Sequence, residues 1–402
     1  MSKKMTIIGI AAVAVLSALL LWARFKGRAT PAAGASSASG PRLLWKFKSD
    51  KGSVTSVAVG PGDTIYAGTN NAIYSISPDG KEKWKTPVAG MLYAAAGTDG
   101  GLYVTSSRGF LVGVSSEGKP SWTAGMGMID FGGPPAIGTD DTLVVANSVS
   151  DVFAFRPRQT TAAVWSQSTV RPGFISTSAA LPGTATTATT ISKNSPAIWR
   201  DETVLLSRQH WLHSFNPDGT PEWMNELTAG ALGQVALADD GTIYVTDDQG
   251  TLFAVGQHGN LKWRYEGKGF PYGGSPVIDS DGTVYFVADD TVHAIAPDGT
   301  VKWVTQSPER IFTSPTLAAD GTIYVGSTTG LLGFRPDGSL KFKLHTMSAT
   351  GAPNIASDGT IFFACGYAWV CAVRDQDSPL MPSAWPKTFH DPANTGHSLT
   401  KF

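Results

Sequence analysis

Cysteine and charge are the scarce ingredients of this 402-residue chain, which has two cysteines and only 16% Asp, Glu, Lys and Arg. The two cysteines have no histidine near them in sequence, so a metal pair is a poor reading of them. The formal net charge is −1 and unevenly spread: Lys3, Lys4, Arg24, Lys26 and Arg28 put +5 into the first 28 residues, leaving −6 on the rest. A mildly acidic body without a basic run argues against a nucleic-acid partner. The chain has no G-x-S-x-G, no H-E-x-x-H and no phosphate-cradling glycine loop. Its one close histidine pair is His210 and His213, and residues three apart on a strand point to opposite faces, so both reach one metal only if a turn separates them. No catalytic residue, cofactor ligand or metal ligand is assigned from the residues.

What the chain has in excess is glycine, 45 residues of it, and an evenly spaced tryptophan. Trp45, Trp84, Trp122, Trp165, Trp223, Trp263 and Trp303, then Phe342 in the same place, then Trp385, are separated by 39, 38, 43, 58, 40, 40, 39 and 43 residues. These intervals match the length of one four-stranded propeller blade. The best-preserved units, from Asp240 to Trp263, Asp281 to Trp303 and Asp320 to Phe342, each hold three short alternating apolar runs between turn signals, and the apolar segment before each supplies a fourth strand. The fold class is therefore all-β, an eight-bladed β-propeller of four-stranded antiparallel blades, with no helix in the ring. Asp-Gly pairs recur at two places in the unit as turn formers. Tyr66, Tyr103, Tyr244, Tyr285, Tyr324 and Phe362 follow the first turn and are expected in the wedge between blades. Nine outer-strand markers compete for eight places: the strand around Trp45 is expected to close the ring in the last blade, and the tail after Trp385 to be the spare, packed beside the seam.

The amino terminus reads differently. Met5 to Ala23 is uncharged and long enough as a helix to cross a hydrocarbon core of roughly 30 Å. Residues 1–28 are read as an N-terminal transmembrane helix or, alternatively, a cleaved signal segment, and 29–41 as a flexible Pro/Ala/Gly/Ser linker. The propeller is expected over 42–389, with a tail at 390–402. Cys365 and Cys371 fall in one predicted hairpin, where either a cross-strand disulfide or two buried thiols fits. The 58-residue interval contains a threonine-rich insertion, Ser166 to Ser195, read either as a surface loop or as a partner-binding excursion with Arg171, Phe174 and Ile175 as its contact cluster. Trp199, Trp211 and Trp369 stand outside the periodic set and are the remaining partner-binding candidates.

The pattern D-G-T-[IV]-Y-V followed by L-x-A-[ILV]-x-P-D-G-x-x-x-W resembles the pyrroloquinoline-quinone-type, or quinoprotein-like, propeller repeat, and the likeness runs from about Trp45 to Trp385. The closing segment from Trp385 to Gly396 is similar to a W-P-x-F-x-H-D-x-x-x-T-G element of bacterial proteins in this group, with Thr388 as an extra residue. Members of the group include quinone-dependent dehydrogenases and non-enzymatic scaffolds, among them outer-membrane assembly propellers. The enzymes' adjacent-cysteine ring and acidic calcium ligands have no match here. The resemblance therefore implies a membrane-tethered periplasmic propeller, attached to the bacterial inner membrane through its N-terminal helix, that binds an envelope protein without cofactor. A glycan or small-ligand receptor is the alternative, and a quinone-dependent dehydrogenase the second alternative.

Overall fold

The computed structural model describes residues 40–125, 130–148, 151–157, 159, 161–169, 194–228, 230–267, 269–270, 274–391 and 394–398. The expected membrane helix lies outside them. Among the described residues 32 strands form eight four-stranded antiparallel sheets. In chain order blade 1 spans Val54 to Pro87, blade 2 Leu92 to Gly125, blade 3 Ala136 to Ser168, blade 4 Ala197 to Glu226, blade 5 Ala236 to Glu266, blade 6 Val277 to Gln306 and blade 7 Thr316 to His345. Blade 8 takes three strands from Asn354 to Arg374 and its outermost one from the amino-terminal end, Arg42–Lys48. Trp45 pairs with Ala372, so the first strand closes the ring and removes both free ends of the repeat. The only helical element described is a three-residue 3₁₀ turn, Pro61–Asp63.

One cross-strand row explains why the blades look alike. From the innermost strand A to the outermost strand D, blade 6 aligns Val277, Tyr285, Ala294 and Trp303, and blade 1 aligns Ala58, Tyr66, Ser75 and Trp84. A small residue on strand C lets the two aromatics meet across it, with ring centroids 5.8 Å apart for Tyr285 and Trp303 and 6.0 Å for Tyr66 and Trp84. The tyrosine fills the interblade wedge as expected: Tyr285 shares a core with Leu317, Ile323 and Phe334 of blade 7. The tryptophan reaches further. Its Nε1 donates to a carbonyl in the C–D turn of the following blade, from Trp45 to Pro78 (2.9 Å), Trp84 to Ser116 (2.7 Å), Trp263 to Pro297 (2.9 Å) and Trp303 to Pro336 (2.8 Å). The indole lies flat over that turn's glycine, where any Cβ would collide with it: 2.7 Å from Gly80 to Trp45 and from Gly338 to Trp303. Glycine is thus required there twice, for its positive φ and for the indole above it.

Trp385 corrects the expectation drawn from spacing. It is not on an outer strand, nor beside the seam; it is fully buried at the centre of the ring. The reason is the closure itself, since Trp45 already fills the outer place of blade 8. The chain leaving Arg374 instead turns inward, and its last described residues pair with the channel-facing edges of the inner strands.

Candidate functional site

Each blade is an antiparallel meander, so A–B and C–D turns share one face of the ring, while B–C turns and the D–A connections share the other. The A–B/C–D face is built from Asp-Gly turns whose carboxylates serve their own backbones: Asp240 Oδ1 accepts from Thr242 N at 2.9 Å, and Asp298 Oδ1 from Thr300 N at 2.9 Å. Those hydrogen bonds hold the Asp298 carboxyl below its ordinary pKa. The turn aspartates are structural.

The channel is filled by the chain's own carboxy-terminal segment. Innermost strands leave backbone groups facing the channel, and these need partners. Ile278 N donates to Trp385 O (2.8 Å), Leu317 N to Pro386 O (3.0 Å), Ile137 N to Thr395 O (2.9 Å) and Ile198 N to Gly396 O (2.8 Å). Asn394 Nδ2 reaches Val57 O (3.1 Å) and Ala94 O (3.2 Å). Blades 1, 2, 3, 4, 6 and 7 are tied to the plug in this way, and Trp385 joins a core with Val235 and Ala236 of blade 5. Lys387 is buried inside the plug, where its Nζ donates to Thr388 O (2.5 Å), Asp391 O (3.0 Å) and Asn394 Oδ1 (2.7 Å). Burial pushes its pKa down to about 7, and the nearby Asp391 charge opposes that shift. Three acceptors around one nitrogen match the donor count of an ammonium, so the protonated amine ties Lys387 to Asp391 and Asn394 within the plug. Asp391 in turn accepts from Thr395 N (3.0 Å) and from the Thr395 hydroxyl. Beside the plug, on the A–B/C–D face, lies an open cavity of about 1030 Å³ lined by Pro379 to Ala384, Asp63, Arg200, Asp239 and His390.

The opposite face carries the apolar surface. Met91, Phe270 and Phe312 in D–A connections, and Phe110 and Tyr367 at B–C turns, are exposed there, Tyr367 to 83%. Apart from Val164 in the C–D turn of blade 3, the other exposed large hydrophobics lie on the outer strands at the wall of the ring, such as Leu261, Val301 and Leu340. Trp211 and Trp369 open strands at this same face, half-buried, with Lys48 Nζ 5.6 Å over the Trp369 ring. They sit in blades 4 and 8, on opposite sides of the ring. Trp199 is in an A–B turn on the other face and packs on the core, so the three tryptophans do not form one site. Arg171, Phe174 and Ile175 lie outside the described residues. The insertion expected over Ser166 to Ser195 is narrower at both ends: Trp165–Ser168 pairs as the outer strand of blade 3, and Asn194 and Ser195 are hydrogen-bonded to Ser207 and Gln234, so the three residues belong to the D–A connection between blades 3 and 4, whose two ends are on the apolar face. His210 sits in a turn, whereas His213 is buried against Phe215, and among the described residues no group of three metal-ligating side chains occurs. Cys365 and Cys371 are bonded as a disulfide across their hairpin, Cα atoms 5.9 Å apart, and both are fully buried.

Spacing alone did not reveal the plug. Its signal was the closing element itself, whose Lys387, Asp391, Asn394 and Thr395 are too polar in pattern for an outer strand.

The family model described as outer membrane protein assembly factor BamB matches the chain twice, over residues 33–209 and 208–397. Among solved structures, BamB from Moraxella catarrhalis superposes with a TM-score of 0.66 at 15% identity, covering 83% of this chain and 99% of that one. The C-terminal WD40 domain of Sif2 gives 0.64 at 13% identity, over 83% and 98% of the two chains, and the Dos1 propeller 0.64 at 10%, over 83% and 95%. At these identities the likeness is one of fold. An uncharacterized protein of Bacillus subtilis (strain 168), YxaL, is 43% identical over 63 residues, a stretch that spans 15% of either chain.

Proposed function

The chain belongs to the family of the outer membrane protein assembly factor BamB, and on that premise we propose that it is a non-catalytic scaffold of the bacterial envelope that binds another envelope protein. In this reading residues 1–28 hold it at the inner membrane, the 29–41 linker spaces it from the bilayer, and the propeller stands in the periplasm. The observation that carries the scaffold reading is the unequal character of the two faces. One is a set of self-satisfied polar turns, while the other gathers Met91, Phe110, Phe270, Phe312 and Tyr367 in the open together with the ends of the insertion. Exposed aromatics grouped on one face mark interaction surfaces rather than solvated ones. The filled channel supports the same reading, because Trp385 to Asp391 and Asn394 to His397 take the position that a centrally bound small molecule would need.

The test is affinity capture of the full-length protein from detergent-solubilised membranes. A variant with Phe110, Phe270 and Tyr367 changed to serine, and a second lacking 170–193, which spares the outer strand Trp165–Ser168 and the bonded Asn194 and Ser195, should each lose most of the captured partner while keeping the wild-type melting temperature. Full capture by both variants would remove the apolar face as the interface. Release of the full-length chain by carbonate would remove the membrane anchor.

A further inference from the structure

The repeat contains its own ruler for the space between blades. In blade 6 that space is filled by the ring of Tyr285, which packs with Trp303, Leu317 and Ile323 and donates from its hydroxyl to Asp279 Oδ2 at 3.1 Å. In blade 3 the same register position, opposite Ala136 and Ala154, is Val144. Between blades 3 and 4 there is accordingly an open cavity of about 300 Å³, a size at the low end of ligand sites, walled by Val144, Trp165, Ile198 and Val204. Trp165, Ile198 and Val204 are the register counterparts of Trp303, Leu317 and Ile323. The cavity therefore has the walls of a tyrosine site without the tyrosine.

Two further departures complete it. The residue before the outer tryptophan is Lys262 in blade 5 and Lys302 in blade 6, each closing the wedge with a hydrogen bond to a turn threonine, at 2.6 Å to Thr242 and 2.5 Å to Thr283. Blade 3 has Val164 there, 48% exposed, which reaches no such partner and leaves the mouth open. At the left-handed position of the A–B turn, where Gly282 and Gly321 stand, blade 4 has Glu202 with φ +66°, a conformation that costs a side-chain-bearing residue about 1–2 kcal/mol. Its Oε1 accepts from the Thr139 hydroxyl at 2.6 Å and lies 3.2 Å from His397 Nε2. Its Oε2 lies over Gly138, where a Cβ would be only 2.6 Å away. Gly138 follows Ile137 as Asp279 follows Ile278, so the carboxylate of Glu202 stands where Asp279 meets the phenol in blade 6.

We propose that the groove between blades 3 and 4 receives a 4-hydroxyphenyl group, the side chain of a tyrosine on a partner polypeptide, with its ring on Trp165, Ile198 and Val204 and its hydroxyl donating to Glu202. The site stands on this geometry; that a polypeptide carries the ring rests on the scaffold reading. The experiment uses the full-length protein in detergent with N-acetyl-tyrosinamide and N-acetyl-phenylalaninamide as probes, read by calorimetry and by melting temperature. The tyrosine probe should bind about tenfold or more tighter than the phenylalanine probe, the margin of a hydrogen bond to a charged acceptor. Glu202→Gly, which restores the repeat's own residue, should erase that preference. Val144→Tyr, which supplies the ring from within, should raise the melting temperature and abolish binding. No binding of the tyrosine probe, equal binding of both probes, or undiminished binding to a folded Val144→Tyr protein would overturn the site. A Val144→Tyr protein that loses the probe but captures its membrane partner in full would refute the polypeptide source while leaving the scaffold reading intact. Loss of capture only in the apolar-face variants would do the same.

Discussion

Replacing Trp385 with alanine separates the channel position from an outer-strand one. The indole is fully buried, and its Nε1 has no hydrogen-bond partner, so the loss is one of packing alone. A buried indole hides up to about 250 Å², worth about 6 kcal/mol at 25 cal/mol per Å². Part of that area is already hidden in the unfolded chain and the cavity walls relax, which brings the expected cost to about 3–5 kcal/mol. Trp303 gives the comparison: it is half-buried, and removing it sacrifices roughly half that area plus one hydrogen bond to Pro336, about 2–3 kcal/mol in all. Urea unfolding followed by circular dichroism should thus rank Trp385→Ala below Trp303→Ala in midpoint. If Trp385→Ala costs under about 1 kcal/mol, or less than Trp303→Ala, the plug does not hold the ring from inside and the reasoning fails.

His213 and His293 are buried, and desolvation pushes each down to about 4, so the unfolded chain takes up their protons first. Their contribution is complete above about 6.5 and is lost as pH falls through 4, about 3 kcal/mol per histidine at 1.36 kcal/mol per pH unit. Phenylalanine at both positions should flatten the stability profile between pH 7 and 4.5, and an unchanged profile would show that neither ring is desolvated. The disulfide closes a short loop, so replacing Cys365 and Cys371 by alanine should lower stability by about 2–3 kcal/mol. Because both sulfurs are fully buried, dithiothreitol should reduce the bond only when urea opens the blade; equally fast reduction in native buffer would contradict that burial.

The ring was legible because each blade repeats the same physical problem. A turn glycine, a wedge aromatic, a small strand-C residue and an outer indole recur at fixed offsets, and closure follows once the strand around Trp45 is paired with the last blade. The plug was not legible from spacing, since Trp385 falls 43 residues after Phe342 and looks like one more repeat. Only the ring's closure, a contact between residues more than 300 apart in sequence, frees Trp385 from that role. The apolar face was hidden for a related reason. Met91, Phe110, Phe270, Phe312 and Tyr367 are scattered singly through connections, and their grouping exists only after the blades are stacked around the axis. Of the residues expected to bind, Trp211 and Trp369 reach that face, whereas Trp199 is taken up by packing.

Departures from the repeat divide into those that closure explains and those that it does not. Phe342 is of the first kind. An outer tryptophan donates to the C–D turn of the next blade, but blade 8 has no such turn, because its strands C and D come from opposite ends of the chain. An indole N–H at Phe342 would have no turn carbonyl to meet, so a ring without a donor is the better residue there. Trp385 is of the same kind, a ninth aromatic released to the channel because Trp45 already occupies the last outer place. Val144, Val164 and Glu202 are of the second kind. Blades 3 and 4 keep the Trp165 contact to the Pro217 carbonyl at 3.1 Å, and although blade 4 has Leu205 in the aromatic's place and blade 3 has Asp141 at the turn's left-handed position, nothing in closure calls for a missing tyrosine, a missing lysine and a carboxylate at a glycine position around one cavity. The three changes border one groove at the A–B and C–D turns of neighbouring blades. That coincidence of position, rather than any single residue, separates a site from drift in the repeat.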